Sequence, residues 1–196
     1  AKLLVLEESI LRESPGVKLV LASYADSDES IGEIDMIVTA TSGAGKKILD
    51  IMKVKPGCVI TDVARPLDLP PEEVAKRPDV LVIESGEVYL PGEVRMKQIG
   101  FEDHNVVYAC LAETIVLTLE GRFENFTLGR TIEWEKVHEI YKMGLKNGMR
   151  LAAISGVNGV FSDEDIAKVR ELAVQARKKW TSPSTTGTVS ASEETA

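Results

Sequence analysis

The stretch from Val106 to Leu119 (VVYACLAETIVLTL) is apolar at eleven of its fourteen positions. An amphipathic surface helix shows one apolar stripe, whereas a helix apolar all round is buried. This stretch is therefore expected to form a buried helix around which the rest of the chain packs. Gly121 supplies the left-handed residue usual just past a helix end. Cys110 would then sit about one turn inside the helix start, where unpaired N–H groups and the helix dipole favour a thiolate. An unpaired cysteine is equally at home as a small core hydrophobe. Glu113, three residues on, shares a helix face with Cys110; a carboxylate does not help a nucleophilic thiol, so backbone bonding is its expected use. His104 stands at the helix entry. It could activate the thiol only from a bent lead-in, and a surface or capping use competes.

The remainder reads as strands alternating with helices. Lys2–Glu13 has helical apolar spacing and ends before Pro15-Gly16. Strands are expected at Val17–Ala22, Ile34–Thr39, Cys58–Asp62 and Val80–Glu84. Ser23–Glu33 reads as a loop or short helix, Lys46–Val54 as a helix, and Pro70–Lys76 as a short helix. This order predicts a parallel sheet covered by helices. Glu133–Gly148 is amphipathic, with Thr131 as a candidate cap and Trp134, Val137, Ile140, Tyr141 and Leu145 facing inward. Its charges run from Glu133, Glu135 and Glu139 to Lys142, Lys146 and Arg150, which complements the macrodipole; a basic patch for an acidic partner is the rival reading. Residues 154–162 form a Gly-rich connector. Ser162 with Asp165 marks an N-cap for a helix to about Lys179, with Ile166, Val169, Leu172 and Ala173 on one face. Residues 180–196 are Ser/Thr-rich and are expected to be disordered.

Composition narrows the function classes. A net charge of −8 points away from nucleic acid and anionic membrane surfaces. No apolar run reaches membrane-spanning length, and no signal peptide is visible. Two cysteines, Cys58 and Cys110, suit a reducing cytoplasm rather than a disulfide framework. Cys58, between Pro56-Gly57 and Val59-Ile60, reads as core. The two histidines have no Cys or His neighbour at ligand spacing, so no metal site is expected.

Three strands end on small or polar residues: Thr41-Ser42-Gly43 after one, Asp62 to Pro66 (with Ala64 and Arg65) at the next, and Ser85-Gly86 after the last. In open α/β sheets ligands lie beyond the carboxyl ends of the strands, so these turns would share one crevice. Ordinary turn chemistry explains each taken singly. A dinucleotide site also needs a Gly-rich turn after its first strand, and no G-x-G-x-x-G follows a strand here. The fold class expected is α/β, an incomplete, N-terminally truncated Rossmann-like parallel sheet followed by C-terminal helices. The divisions expected are 1–104, 105–153, 154–179 and a tail over 180–196.

Tyr108–Glu113 (YACLAE), Leu119–Gly121 (LEG) and Asn125–Arg130 (NFTLGR) together resemble the C-terminal region of cyanobacterial-type long-chain acyl-[acyl-carrier protein] reductases. The turn Ala40-Thr41-Ser42-Gly43 resembles the nicotinamide side of shikimate-dehydrogenase-like Rossmann domains. The resemblance implies NADPH as cofactor and Cys110 as the nucleophile that takes an acyl group from an acyl carrier protein or coenzyme A thioester, releasing a fatty aldehyde. Thr41, Ser42, Gly43, Asp62, Ala64, Arg65, Pro66, Ser85 and Gly86 would line the nicotinamide half. A missing N-terminal region of the same protein would supply the phosphate loop. The alternative is the back of a shikimate- or amino-acid-dehydrogenase-like unit, transferring hydride directly or serving as a scaffold, with Cys110 inert.

Overall fold

The computed structural model describes residues 2–21, 30–41, 48–95, 97, 101, 103–129 and 132–180. Helix α1 (Lys2–Glu13) is followed by a 3-10 turn (Ile31–Glu33), strand β1 (Met36–Thr39) and a second 3-10 turn (Ile51–Lys53). Then come β2 (Val59–Asp62), the short α2 (Pro71–Val74), β3 (Leu81–Glu84), β4 (Glu87–Tyr89) and β5 (Val106–Tyr108). Helix α3 (Ala109–Leu119), helix α4 (Trp134–Lys146), β6 (Arg150–Leu151), β7 (Ser155–Gly156), β8 (Gly159–Val160) and α5 (Asp163–Arg177) complete the chain. The class is α/β, with a parallel-containing sheet and helices, as expected for a Rossmann-like sheet.

Two sheets form. The first runs β1-β2-β3-β7-β8, with β1, β2 and β3 parallel and the β7–β8 hairpin added antiparallel. The second runs β5-β4-β6, all antiparallel. Each has its own core. Ile51, Val54, Cys58, Ile60, Leu69 and Val82 pack under the first, and Leu90, Val107, Ala112, Val116 and Met149 under the second.

Several expectations need correction. Val17–Leu21 forms no ladder; Val17, Val20 and Leu21 are exposed, and without a partner β-branched composition does not make a strand. Of the helix expected at Lys46–Val54, the described part is an irregular Ile48–Asp50 and the 3-10 turn. There the Asp50 carboxylate accepts from the Met52 N–H at 3.3 Å, a local bond that competes with helix. Val106–Tyr108 is a strand paired with β4, so the long apolar run is a strand followed by a helix. Nor is α3 buried all round, since Leu119 is 63% exposed. The Gly-rich connector is a hairpin that extends the first sheet. Thr131 lies outside the described residues, and Glu133 occupies the N-cap of α4.

The local stop signals act as read. Gly121 takes φ +68°, the Gly121 N–H donates to the Thr118 carbonyl at 3.1 Å, and the Arg122 N–H to Leu117 at 2.8 Å, closing α3. Ser162 and Asp165 form a reciprocal capping box at α5, and Ile166, Val169, Leu172 and Ala173 form the half-buried to buried face of that helix. Helix α5 docks below β2, where Arg177 Nε donates to the Pro56 carbonyl at 2.7 Å.

A buried ion pair pins the same end. Arg77 donates to both Asp79 oxygens at 2.9 and 2.8 Å and to the Ile51 carbonyl at 2.7 Å. Burial pushes the Asp79 carboxyl up, but the hydrogen bonds and charge of Arg77 win and hold it below its ordinary value. The contribution of Asp79 to stability is thus present above its unfolded value of 3.8 and is lost as pH falls through the lower folded value. Arg77→Ala leaves Asp79 buried and unpaired, and should cost about 3 kcal/mol or more in urea unfolding at neutral pH. That deficit should shrink below the unfolded value; a deficit independent of pH would show that the pair is not its source.

Candidate functional site

The strands β1, β2 and β3 end side by side, because Thr39 is in register with Asp62 and Asp62 with Glu84. The turns that follow therefore leave the sheet at one edge, but their polar groups serve one another. Asp62 is 1% exposed, and its two oxygens accept from the Ala64 and Leu69 N–H groups, each at 3.0 Å. Asp68 accepts from the amide and hydroxyl of Thr41 at 3.0 and 2.6 Å. Arg65 donates to the carbonyls of Ala64 (2.9 Å) and Ser85 (3.2 Å) and lies 3.8 Å from Glu84 and 3.7 Å from Glu87. Pro66 follows a cis peptide bond. The Ser85 N–H donates to the Asp62 carbonyl at 3.0 Å. Ser42 and Gly43 lie outside the described residues.

From this knot the backbone passes to Cys110. Gly86, at φ +86°, turns the chain out of the first sheet, and its carbonyl accepts from the Ala109 N–H at 2.7 Å. Ala109 is the first residue of α3 and Cys110 the second, so the thiol lies in the first turn rather than one turn inside. Its side chain is exposed. Arg65 reaches over the Tyr108 ring, 5.8 Å from its centroid, and links the Asp62 turn to the same helix start. His104 is exposed, in a turn ahead of β5. Glu113 bonds backbone as expected, accepting from the Thr127 N–H at 3.4 Å, and it also takes the Thr127 hydroxyl.

Cys110 opens onto a cavity of about 790 Å³. One wall is α3, through Ala112, Glu113 and Val116; the facing wall is α4, through Val137, Ile140, Tyr141 and Leu145; Val88, Thr127, Met149 and Leu151 add to the lining. Arg150 stands on the lining too, with its guanidinium 4.4 Å from the Tyr89 ring centroid. The size and apolar character suit a small-molecule pocket. This corrects part of the reading of α4: Ile140 packs against the second core as expected, but Trp134, Val137, Tyr141 and Leu145 are half or more exposed, so much of its apolar stripe borders open space rather than a filled core. Periodicity does not mark the lining residues on α4 as functional, because a core-facing stripe and a cavity-facing stripe have the same period.

No protein-family model matches the chain. Among curated proteins it is similar to Aminotransferase PigE of Serratia sp. (strain ATCC 39006), 37% identical over 129 residues. The match spans 63% of this chain and 14% of that protein's length. This overturns the expected membership of the acyl-[acyl-carrier protein] reductases and, with it, NADPH and the fatty-aldehyde product: the relative is an enzyme of a different named class. The dehydrogenase-like alternative gains no support from it. At the strand ends the Thr41, Asp62 and Arg65 groups are engaged with Asp68, backbone amides, and Glu84 and Glu87. None of the helices among the described residues is long and apolar enough to cross a membrane.

The two cysteines should separate chemically. Cys58 is fully buried, and burial, followed by the charge of Asp35, pushes its thiol up to about 11. An aromatic disulfide reagent should therefore label one thiol per native chain and two after unfolding, and Cys110→Ser should remove the native reaction. Native labelling of Cys58 at a comparable rate would contradict this packing.

Proposed function

We propose that this chain is the ligand-cavity segment of a longer enzyme related to the Serratia aminotransferase. It takes an elongated apolar molecule between α3 and α4, with the polar end of that molecule at Cys110 and Arg150. The observation that carries this reading is the cavity itself: an apolar lining broken by a thiol, a carboxylate, two hydroxyls and a guanidinium. Burying an alkyl or aromatic body there would stabilise the complex by about 25 cal/mol for each Å² removed from water. The few polar groups would fix its orientation.

Amino transfer by pyridoxal phosphate needs a lysine for the Schiff base and a carboxylate or arginine against the ring nitrogen. No lysine among the described residues lines this cavity. The buried carboxylates are committed elsewhere: Asp62 to backbone amides, Asp68 to Thr41, and Asp79 to Arg77. The described lining of this cavity does not fit that cofactor. The segment is accordingly assigned a part in holding a substrate body, and the amino-transfer chemistry to another part of the longer enzyme.

A dansyl n-alkylamide should bind with a rise in fluorescence and, at saturation, slow thiol labelling of Cys110 by about tenfold or more. Tyr141→Asp places a charge on the cavity wall at a position 58% exposed, so the fold should tolerate it while probe affinity falls by at least tenfold. If the probe binds without shielding Cys110, and Tyr141→Asp binds as well as the wild type, the cavity is not the binding site.

A further inference from the structure

A second cavity, of about 620 Å³, lies along the outer half of α3 beneath the loop from Arg122 to Leu128. Thr114, Leu117 and Thr118 line it from the helix, and Phe123 and Phe126 from the loop. Glu113 and Thr127 belong to its lining and also to that of the α3–α4 cavity. These two side chains are the shared wall, and they are joined to each other: the Glu113 carboxylate receives both the amide and the hydroxyl of Thr127. The loop is also fastened on its far side. Arg122 pairs with Glu124 at 2.7 Å and with Glu139 of α4, and its guanidinium lies 4.7 Å from the Phe126 ring centroid. Phe126 is buried, so the loop is anchored at its middle.

Resting on the ligand-cavity reading above, we infer that the Glu113–Thr127 pair is the specificity-determining partition between the two spaces, limiting how far an apolar ligand reaches from the α3–α4 cavity into the space beneath the loop. The physical reason is the kind of wall the pair makes. A methylene pushed against it meets a carboxylate whose oxygens are already bonded, and displacing Thr127 would strip a half-buried carboxylate of two donors. An apolar chain supplies no replacement for them. Ligands short enough to stop before the pair gain from each added methylene; longer ones meet an energetic step. Removing the pair joins the two spaces and lets the chain run on beneath the loop.

Dansyl n-alkylamides of increasing chain length, titrated into the 196-residue chain, test this. In the wild type, affinity should rise about fourfold per methylene up to one length and then stop rising. In Glu113→Ala, and separately in Thr127→Ala, the rise should continue several methylenes further. Thr118→Trp, a substitution at an exposed position that fills the second cavity, should leave the wild-type limit unchanged and restore it in the Glu113→Ala background. The inference is overturned if both alanine variants keep the wild-type limit, or if Thr118→Trp alone shortens it, since the space beneath the loop would then already be open. Should either alanine variant fail to fold, the remaining one and Thr118→Trp decide the matter. Failure of every probe to bind the wild type would instead refute the ligand-cavity reading on which this one stands.

Discussion

The buried carboxylate of Asp62 is the constraint on which the placement of the candidate site depends. A carboxylate withdrawn from water is tolerated only when its oxygens are bonded. Asp62 meets that demand with the amides of Ala64 and Leu69, which forces the chain after β2 to curl back over its own strand end. Its carbonyl accepts from Ser85, drawing the end of β3 alongside, and the Val63 N–H donates to the Thr39 carbonyl, drawing in β1. One residue later Gly86 turns the chain and receives the first amide of α3. The position of Cys110 is therefore inherited, bond by bond, from the backbone at the Asp62 strand end, which has no place in the cavity lining.

The same pattern explains what was legible in the sequence. The parallel order of β1, β2 and β3 followed from Val- and Ile-rich runs separated by Pro and Gly, and the ends of α3 and α5 followed from Gly121 and from Ser162 with Asp165. These are local signals with local causes. The division of Val106–Leu119 into strand and helix was hidden because a run apolar on all sides carries neither period. The hairpin at Ser155–Val160 was hidden for a different reason. Its strands are two residues long, and Gly156 faces Phe161 and the Val82 carbonyl so closely that an added Cβ would lie 2.7 and 2.9 Å from them. Only the tertiary contact shows why a glycine stands there.

The candidate residues divide along similar lines. Asp62, Arg65, Ser85 and Gly86 cluster at the strand ends, and spacing alone does not distinguish a polar group offered to a ligand from one bonded to its neighbours. Asp68 was not singled out, and it is the residue that occupies Thr41. On α4 the ambiguity is between core and cavity. Charge ordering along that helix has a structural use in part, since Glu139 pairs with Arg122 and Lys146 lies 2.7 Å from Glu120. These pairs hold α4 against the end of α3, and so hold the two walls of the cavity at a fixed separation while the apolar stripe between them stays open.

The two sheets meet at Glu87, and the balance of forces there bears on how rigidly the cavity is carried. Glu87 lies in β4 and accepts from the Ser155 hydroxyl of β7 at 3.2 Å, with Arg65 at 3.7 Å. Burial nevertheless raises its carboxyl above the ordinary value, outweighing the bond from Ser155 and the charge of Arg65, while Glu84 adds to the rise. A group whose folded value is raised favours the fold most below its unfolded value of 4.5, and that advantage is lost as pH rises through the folded value. Charged Glu87 is thus kept at a cost, and Arg65 limits the cost. Because Arg65 is also the group that reaches Ser85 and Tyr108, the cation that makes the seam tolerable is the one that ties the Asp62 turn to the start of α3. Loss of Arg65 would loosen the joint between the sheets and the placement of Cys110 together, which makes it a structural determinant of the site although it does not line the cavity.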